Sequence, residues 1–594
     1  MVAEPADATA VSRSSRVLLT LAAIAIGFAA ADTYVVVLAL PDMMTSVGLD
    51  VEQLQKAAPV ISGFLLGYVA VLPLIGRIAD LRGRVPVLVG SLVVFAVGSV
   101  VTAAAFDLPT MVTGRLLQGV GGGGLIPPTL ALVADLWPPQ RRGLPLGIVG
   151  AVQELGSVLG PLYGAVVLAF GTWREIFWLN CAVGLVLAAA ILRRRREVPD
   201  VTSTEGRGRP DVLGAVLATL ALVGLSLVML EPRRLTEGVT SGLAFIPVTG
   251  ESRWITPVAL VTYGLLVLFL LRQATARRPL VAWRGWGSIA RSTDLLGAAF
   301  LSVALGAVIV AFASAEPEKS ALSPDAWWLL PLAAVAALGF WWRQRVAREP
   351  LVPRGALRER PAWGALVVSF FVGASLIAAL VDIPFFARLT VYRDSQLDAA
   401  LVLVRVLVAL PVGAVVGGWL LRRVHPAALT SAAMLVSALA FVHMATWGPT
   451  SVSDPLETVS LVVAGLGFGL AIAPVNAALL AHTADAVHGV ASALLVVARM
   501  VGMLIGISAL TTLGLQSFYS ASRRIPDVSE LCGSATACQA YRDAVRDAGI
   551  EQLHTVFQGA AACAVVAAAL AVVLLRTSRR STEHAGDDVD TLAS

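Results

Sequence analysis

Charged residues are scarce in this chain: they make up 14% of its 594 residues, against about 25% in ordinary soluble domains. Hydrophobic residues make up 57%, and the mean hydropathy is +0.81. A soluble protein of this composition would lack the polar residues needed to cover its surface. The net charge of +5 arises from short Arg clusters between apolar runs. Such clusters are typical of the loops of membrane proteins, where they set the orientation, and do not indicate nucleic-acid binding. The composition predicts an integral membrane protein.

Residues that carry catalysis or hold metal ions are also few. The four Cys and six His show neither paired-Cys nor clustered-His spacing, and no GxxxxGK(S/T) phosphate-binding loop occurs. The GVGGGG stretch lies within an apolar run, instead of between a strand and a helix. We therefore expect no enzyme, no metal and no other cofactor. An ATP-driven pump is excluded on this chain alone, so energy for transport would come from an ion gradient or a partner.

Apolar runs long enough to cross a bilayer recur along the whole chain. They lie near 16–40, 58–76, 85–105, 110–134, 143–169, 175–192, 211–230, 256–272, 293–314, 325–342, 361–386, 397–421, 426–446, 457–482, 487–518 and 551–576. The first run lacks a small-residue cleavage site, so we interpret it as a span and not as a signal peptide. The pattern predicts an all-α polytopic membrane protein with sixteen spans.

The short Arg-rich loops fall on one side of these spans, and acidic loops fall on the other. Under the positive-inside rule this places both termini in the cytoplasm, with the protein in the inner (plasma) membrane. Arg233, Arg234 and Arg253 oppose the rule. The 231–255 loop is therefore the weakest part of the topology.

The sequence GRIADLRGRVP, from Gly76 to Pro86, is the first specific motif. Gly76 allows a close helix approach, Asp80 can accept from helix-end amides or pair with an Arg, and Gly83 supplies a turn. Arg84 helps to hold the loop on the cytoplasmic side. The spacing resembles the G-x-x-x-D-x-x-G-R pattern that joins the second and third helices of the major facilitator superfamily.

The fourth and fifth spans carry two further motifs of the same kind. GRLLQGVGGGG places Arg115, Gln118 and Gly119 in register with the superfamily's R-x-x-Q-G signature. QELGSVLGPLYG resembles the Gly-Pro motif of its proton-driven antiporters. Small residues recur there every four positions on one helical face, which favours close packing, and a proline provides a bend. These motif residues are Gly156, Gly160, Pro161 and Gly164.

Longer stretches are similar to one group within the superfamily. ADTYVVVLALPDMM, LVVAGLGFGLAIAP and GVASALLVVARMVGMLIGISAL resemble the mycobacterial triacylglyceride exporters, which are related to 14-span drug:proton antiporters. The resemblance implies the major facilitator fold, with two six-helix bundles joined by an inserted helical linker. It also implies export of triacylglycerides or other apolar lipids, and cooperation with a periplasmic lipid-binding lipoprotein.

The linker departs from that group, because it holds four predicted spans where the group has two. One unit begins DVLGAVLATLALVGL at Asp211 and the next begins DLLGAAFLSVALGAV at Asp294; they end in RRPLV and REPLV. We interpret the two units as a duplicated helix pair, although Ala-rich spans can also resemble each other by chance. The predicted domains are an N-terminal bundle at 1–195, the linker at 196–358, a C-terminal bundle at 359–578 with an outer helical extension at 517–554, and a cytoplasmic tail at 579–594.

Ionisable residues inside spans are costly, by about 2.5–3.5 kcal/mol each on insertion scales, so they are functional candidates. They are Asp32, Arg115, Glu154, Asp382, Arg405 and Arg499. Asp32 and Arg115 lie at similar depth and can pair, whereas Glu154 lies at mid-depth in its span, as does Arg499. Either the carboxylates carry protons as motion separates them from an Arg, or the pairs are static salt bridges. We rank Glu154 first as a proton carrier.

The outer connection between the last two spans contains Cys532 and Cys538, in a compartment that permits disulfides. A small disulfide-closed loop is one interpretation, and two thiols in a flexible tip is the other. The spans themselves offer few polar side chains to a substrate, which suits an apolar ligand. The sequence therefore predicts a proton-coupled exporter of apolar lipids; the alternatives are a multidrug efflux antiporter of hydrophobic drugs and a non-transporting membrane scaffold.

Overall fold

The computed structural model describes residues 13–49, 54–195, 211–238, 240–250, 252–276, 293–313, 323, 325–392, 396–527, 530, 532 and 538–576. Throughout these residues the chain forms helices and connecting turns, without a β-strand. The all-α class is thereby confirmed. The predicted tail at 579–594 lies outside the described residues.

Eight helices form the N-terminal half. They are α1 (Arg13–Ser46), α2 (Leu54–Ala70), α3 (Leu72–Arg82), α4 (Arg84–Ala103), α5 (Leu108–Gly123), α6 (Ile126–Leu136), α7 (Gly143–Phe170) and α8 (Trp173–Arg195). The second predicted span is broken: α2 and α3 meet at an angle of 40°. Pro73 lies in the first turn of α3, where a missing backbone N–H and a fixed φ suit a new helix start.

The linker and the C-terminal half follow. The long linker helices are α9 (Val212–Leu230), α10 (Pro257–Thr275), α11 (Leu295–Ala313) and α12 (Ala326–Val346), and a one-turn helix lies at Arg233–Thr236. The helices of the C-terminal half are α13 (Arg360–Leu389), α14 (Gln396–Leu420), α15 (Pro426–Met444), α16 (Glu457–Ala481), α17 (His488–Ser522) and α18 (Gln539–Leu574).

Thirteen helices of the described chain are long and apolar enough to cross a membrane, or fourteen if the bent α2–α3 pair counts as one span. The two other predicted spans correspond to α7, of 28 residues, and α12, of 21 residues. A multi-pass membrane protein is therefore shown. The count of sixteen spans stays a prediction.

The two halves meet along an interface, called the seam below, that several helix pairs form. Helix α7 packs along α14, and α3 and α6 pack against α17. Each half also has its own apolar core, around Phe64 and Phe95 in the N-terminal half and around Phe441, Phe468 and Phe557 in the C-terminal half. Two packed bodies with a shared seam can rock against each other without unfolding.

In both linker hairpins, an Asp at the start of the first helix pairs with an Arg near the end of the second helix. In the α9–α10 hairpin, Asp211 accepts from the backbone of Gly214 (3.1 Å) and pairs with Arg272 (3.0 Å). In the α11–α12 hairpin, Asp294 accepts from the backbone N–H three residues on (3.0 Å) and pairs with Arg343 (2.8 Å). The hydrogen bond from Arg272 holds the pKa of Asp211 below its usual value, so that this carboxylate stays charged. Duplication of the pair stays a prediction, and this shared geometry supports it.

The last two helices are longer than a bilayer requires. Helices α17 and α18 have 35 and 36 residues, or about 50 Å each at 1.5 Å per residue, against a hydrocarbon core of about 30 Å. The hairpin that joins them lies at the end of the molecule opposite the Arg-rich loops. An Arg524–Glu551 pair (2.8 Å) joins them there, and a disulfide links Cys532 to Cys538.

Arg253, which opposed the positive-inside rule, is held by local contacts on that same side. Its guanidinium donates to the carbonyl of Met229 (3.0 Å) and lies 3.8 Å from the ring centroid of Phe106. It also lies 3.7 Å from the carboxylate of Glu231. These contacts account for a cation on the acidic side of the membrane.

Candidate functional site

A buried ion pair lies inside the N-terminal half. Arg115 of α5 donates to Asp32 of α1 at 2.6 Å, and the two residues are only 1% and 0% exposed. Arg115 also donates to the carbonyl of Val60 at 3.4 Å, and its guanidinium carbon lies 4.4 Å from the ring centroid of Phe64. The structure thus brings together two of the predicted intramembrane charges and buries both.

Polar side chains from neighbouring helices complete this pair. Asn180 of α8 donates to Asp32 and accepts from Tyr163 of α7 (2.9 Å). Gln118 accepts from Arg115 (3.0 Å). Sequence reasoning missed Asn180 and Tyr163. A lone Asn in the middle of an apolar span was the available signal, because such a group needs an internal partner in lipid.

Two hydroxyl groups of α4 close the network. Gln118 donates to Ser99 (2.9 Å) and accepts from Thr102 (3.1 Å). All partners in the network, from Asp32 to Asn180, belong to the N-terminal half. Rocking of one half against the other therefore leaves the Asp32–Arg115 pair together.

The second charged site lies between the halves. A small cavity of about 40 Å³ is lined by α6 and α7 of the N-terminal half and by α13, α16 and α17 of the C-terminal half. Glu154 lines it from α7 and Arg499 from α17, so the two side chains face the same cavity from opposite halves. Separation of the halves would therefore separate these two side chains.

Three further polar residues line the same cavity, and sequence reasoning missed them. They are Gln153, Ser369 and Asn476; the other eleven lining residues are Gly or aliphatic. A space of about 40 Å³ holds at most a few water molecules. The space is therefore too small for a bulky ligand in this arrangement of the halves.

The glycine face of α7 points at α1. A Cβ atom at Gly156 would overlap the carbonyl oxygen of Gly27, and one at Gly160 would overlap that of Ala31. A Cβ at Gly164 would overlap the side chain of Val35. The three glycines therefore act within the N-terminal half, where they set the distance between α1 and α7. Helix α7 continues as a helix through Pro161.

The motif at the end of α3 and the start of α4 connects the two halves. We call the contact of Asp80 with the N-terminus of α17 the latch. Asp80 accepts from the backbone N–H groups of Gly489 (2.9 Å) and Val490 (3.1 Å), which are the first amides of α17. A carboxylate at a helix N-terminus satisfies free donors and complements the helix dipole. Asp80 also pairs with Arg84. The latch closes the molecule on its Arg-rich side.

Three other residues support the latch. Arg84 pairs with Asp135 (3.2 Å) and donates to the carbonyl of Asp485 (3.3 Å), and so it too reaches across the seam. Gly76 lets α3 approach α17, since a Cβ there would lie 2.6 Å from the carbonyl oxygen of Gly489. Gly83 has φ of +91°, a conformation that other residues adopt only with strain.

Asp80→Ala is expected to shift the protein toward a state open on the Arg-rich side. Loss of a helix cap costs about 1–2 kcal/mol, or roughly a 5–30-fold change in an equilibrium. The measurement is the distance between spin labels on cysteines introduced at Leu81 and Ala486, obtained by double electron–electron resonance. Asp107→Ala is the control, since Asp107 caps α5 within the N-terminal half (2.9 Å from the Thr110 N–H); an unchanged distance distribution in Asp80→Ala would contradict the latch.

The remaining intramembrane charges do not form a pair. Arg405 donates to Thr458 (2.8 Å) and to the carbonyl of Val452 (3.4 Å). Asp382 is 8% exposed and has no hydrogen-bond or ion-pair partner within the described residues. No cluster of His, Cys, Asp and Glu in the described part of the chain could hold a metal ion.

Comparison with known proteins shows the family to which this chain belongs. The model of the major facilitator superfamily matches residues 22–507. The triacylglyceride transporter of Mycolicibacterium smegmatis is 32% identical, over 95% of this chain and 88% of its own length. That of Mycobacteroides abscessus is 37% identical (84% and 82%), and that of Mycobacterium tuberculosis is 34% identical (85% and 83%).

Two solved structures share the fold at low sequence identity. The human organic anion transporter MFSD10 has a TM-score of 0.52 and 15% identity, over 94% of this chain and 99% of that one. The proton:xylose symporter XylE has a TM-score of 0.51 and 13% identity, over 95% of both chains. With these matches, this chain belongs to the major facilitator superfamily, in the group that includes the three mycobacterial triacylglyceride transporters.

Proposed function

We propose that the protein is a secondary active exporter of apolar, triacylglyceride-like lipids. It would move them from the inner membrane toward the periplasm, driven by an inward flow of protons. Its relatives are named triacylglyceride transporters. Its spans also offer a lipid an apolar path, with few polar groups that would have to lose water.

The Glu154–Arg499 site is the observation that carries the coupling proposal. It has one charge from each half, in a cavity lined mainly by aliphatic side chains. When the halves separate, Glu154 loses the cation that favours its charged form, and in an apolar setting it then takes up a proton. When they close again, Arg499 favours release of that proton. This cycle couples one proton to each opening and closing.

The other contacts between the halves fit alternating access. The Asp80 latch closes the Arg-rich side, which we assign to the cytoplasm, so the next step in the proposed cycle opens the outer side. Breaking the latch then opens the cytoplasmic side for reloading. The long α17–α18 hairpin stands at the outer exit, and we propose that it passes lipid to a periplasmic lipid-binding lipoprotein.

Glu154→Gln is expected to abolish proton-driven lipid export while leaving lipid binding intact, because Gln keeps the shape and loses the titrating group. The measurement is transfer of a fluorescent triacylglyceride by purified protein in liposomes, with and without a pH gradient. Glu175→Gln is the matched control, since Glu175 is an exposed carboxylate at the start of α8 that bonds Thr172.

Other outcomes would select other functions. Gradient-driven movement of hydrophobic drugs without triacylglyceride transfer would identify a drug antiporter. Folded wild-type protein that moves neither class of compound would point to a scaffold. Equal gradient-driven rates for wild type and Glu154→Gln would overturn the coupling role of Glu154.

A further inference from the structure

The four linker helices are not placed alike. Helices α9 and α10 pack mainly on each other, with minor contact to α4, and α12 packs on α11. Helix α11 instead lies in the seam between the halves, where it packs along α2 and also contacts α3 and α17. One inserted helix thus contacts both bodies that move in the transport cycle.

Helix α11 is attached to the N-terminal half at the break in the second span. Ser302 donates to the carbonyl of Ala70 at 2.7 Å, and Ala70 is the last residue of α2. A backbone carbonyl beside a helix break has no water to accept from in the bilayer, so a neighbouring hydroxyl is a valuable partner. One turn further along, a Cβ at Gly306 would lie 2.8 Å from Leu66 of α2. The two helices are therefore closely packed.

The equivalent hydroxyl in the other hairpin has no such contact. Thr219 lies eight residues after Asp211, as Ser302 lies eight after Asp294. Thr219 is exposed and donates to Ala215 of its own helix (2.9 Å). Ser302 of α11 therefore donates to a neighbouring helix, whereas Thr219, at the same position in α9, donates within its own helix.

The same face of α11 also meets the C-terminal half, and there the described residues are in contact through apolar side chains. Ile309 is fully buried, in a cluster that includes Val496 and Val497 of α17. Leu305 packs against the same cluster, as does Val501 of α17. At this contact no hydrogen bond or ion pair joins the described residues of α11 and α17. A purely apolar contact in lipid separates more readily than one held by a polar group.

We propose that α11 is the movable wall of a lateral portal for lipid. It stays fixed to the N-terminal half through Ser302 and Gly306, and it releases α17 when the halves move apart. Uncharged lipids with long acyl chains then pass from the bilayer into the seam between α11 and α17. This inference rests on the proposed lipid transport, and it gives the extra helix pair a role in that transport.

Cross-linking tests which half α11 follows. The free cysteines Cys181 and Cys563 are first replaced by Ser. One variant then carries Leu66→Cys and Gly306→Cys, and the other carries Leu305→Cys and Val501→Cys. Disulfides, or short bis-thiosulfonate bridges, are formed in the membrane. Triacylglyceride transfer is measured before the bridge forms, with the bridge, and after reduction.

The α11–α17 bridge is expected to lower transfer at least about tenfold, reversibly, while the α11–α2 bridge leaves the rate unchanged. Inhibition by the α11–α2 bridge, alone or together with the other, would overturn the proposal, because α11 would then have to leave α2. Full activity with both bridges would overturn it too. An unbridged protein that fails to move triacylglyceride would instead reject the proposed lipid transport.

Ser302→Ala tests the attachment without a bridge. Loss of one hydrogen bond of this kind is expected to change the rate roughly 2–10-fold, and Ser302→Thr should restore it. Thr219→Ala, at the same register in α9, is the matched control and should leave transfer unchanged. Labelling of a cysteine at Leu305 should also become faster in Ser302→Ala. An unchanged rate and unchanged labelling would contradict the attachment.

Discussion

Asp32→Leu is expected to destabilise the N-terminal half by about 3–5 kcal/mol, because Arg115 would remain buried without its counter-charge. Arg115 is 1% exposed, so it cannot reach water without opening the packing around Phe64. Asn180 would lose its acceptor in the same step. The expected result is a large loss of folded protein, measured by thermal unfolding in detergent monitored by size-exclusion chromatography.

The double variant Asp32→Leu with Arg115→Met is expected to recover much of that stability, since apolar side chains of similar volume can replace a buried ion pair. Its transport rate decides between the two roles of Asp32. A folded double variant that still exports lipid along a pH gradient identifies a static salt bridge. A folded double variant without gradient-driven export identifies Asp32 as a proton carrier.

Geometry favours the static role for this pair. Every partner of Asp32 and Arg115 moves with them, because all lie in the N-terminal half. Glu154 differs, since Arg499 lies across the seam. A coupling residue needs a partner that the conformational change removes.

Gly156→Leu is the second large expected effect. A Cβ at this position would overlap the backbone of Gly27, and backbone cannot move aside as a flexible side chain can. Overpacking typically costs about 1–3 kcal/mol, and more where side chains cannot adjust. We expect α1 and α7 to separate, with loss of folded protein in the same thermal assay and loss of transport.

A smaller pair of variants supplies the control. Gly156→Ala adds one carbon at the same contact and should still be destabilising. Gly264→Ala adds one carbon in α10, where nothing lies within 4 Å, and it should be neutral or stabilising by up to about 1 kcal/mol through helix propensity. Equal stability of the two Ala variants would show that α1 and α7 do not need the small residue.

Much of the fold could be predicted because length and hydropathy define a membrane helix. The helix break at residue 71 could not, since the run predicted at 58–76 reads as one apolar segment. Pro73 was a signal, but proline is also common within intact membrane helices. The role of Asp80 could be predicted from sequence, because the spacing of its motif indicated an acceptor for helix-end amides.

The position of α11 was beyond sequence reasoning. A helix that is apolar all round gives no information about which face packs on protein and which on lipid. The same limit applies to Asp382 and Arg405, which lie on the neighbouring helices α13 and α14 but have no hydrogen bond between them. Depth along a span is readable from sequence, whereas rotation about the helix axis depends on partners far along the chain.

The position of the Asp32 network has a consequence for biogenesis. Its first and last members are Asp32 and Asn180, so every partner has been synthesised before the linker begins. Domains generally fold as units with the N-terminal one first. The N-terminal half can therefore neutralise its most costly buried charge while the ribosome is still translating the rest. The C-terminal half then inserts beside a finished surface, which already presents Asp80 to the first amides of α17.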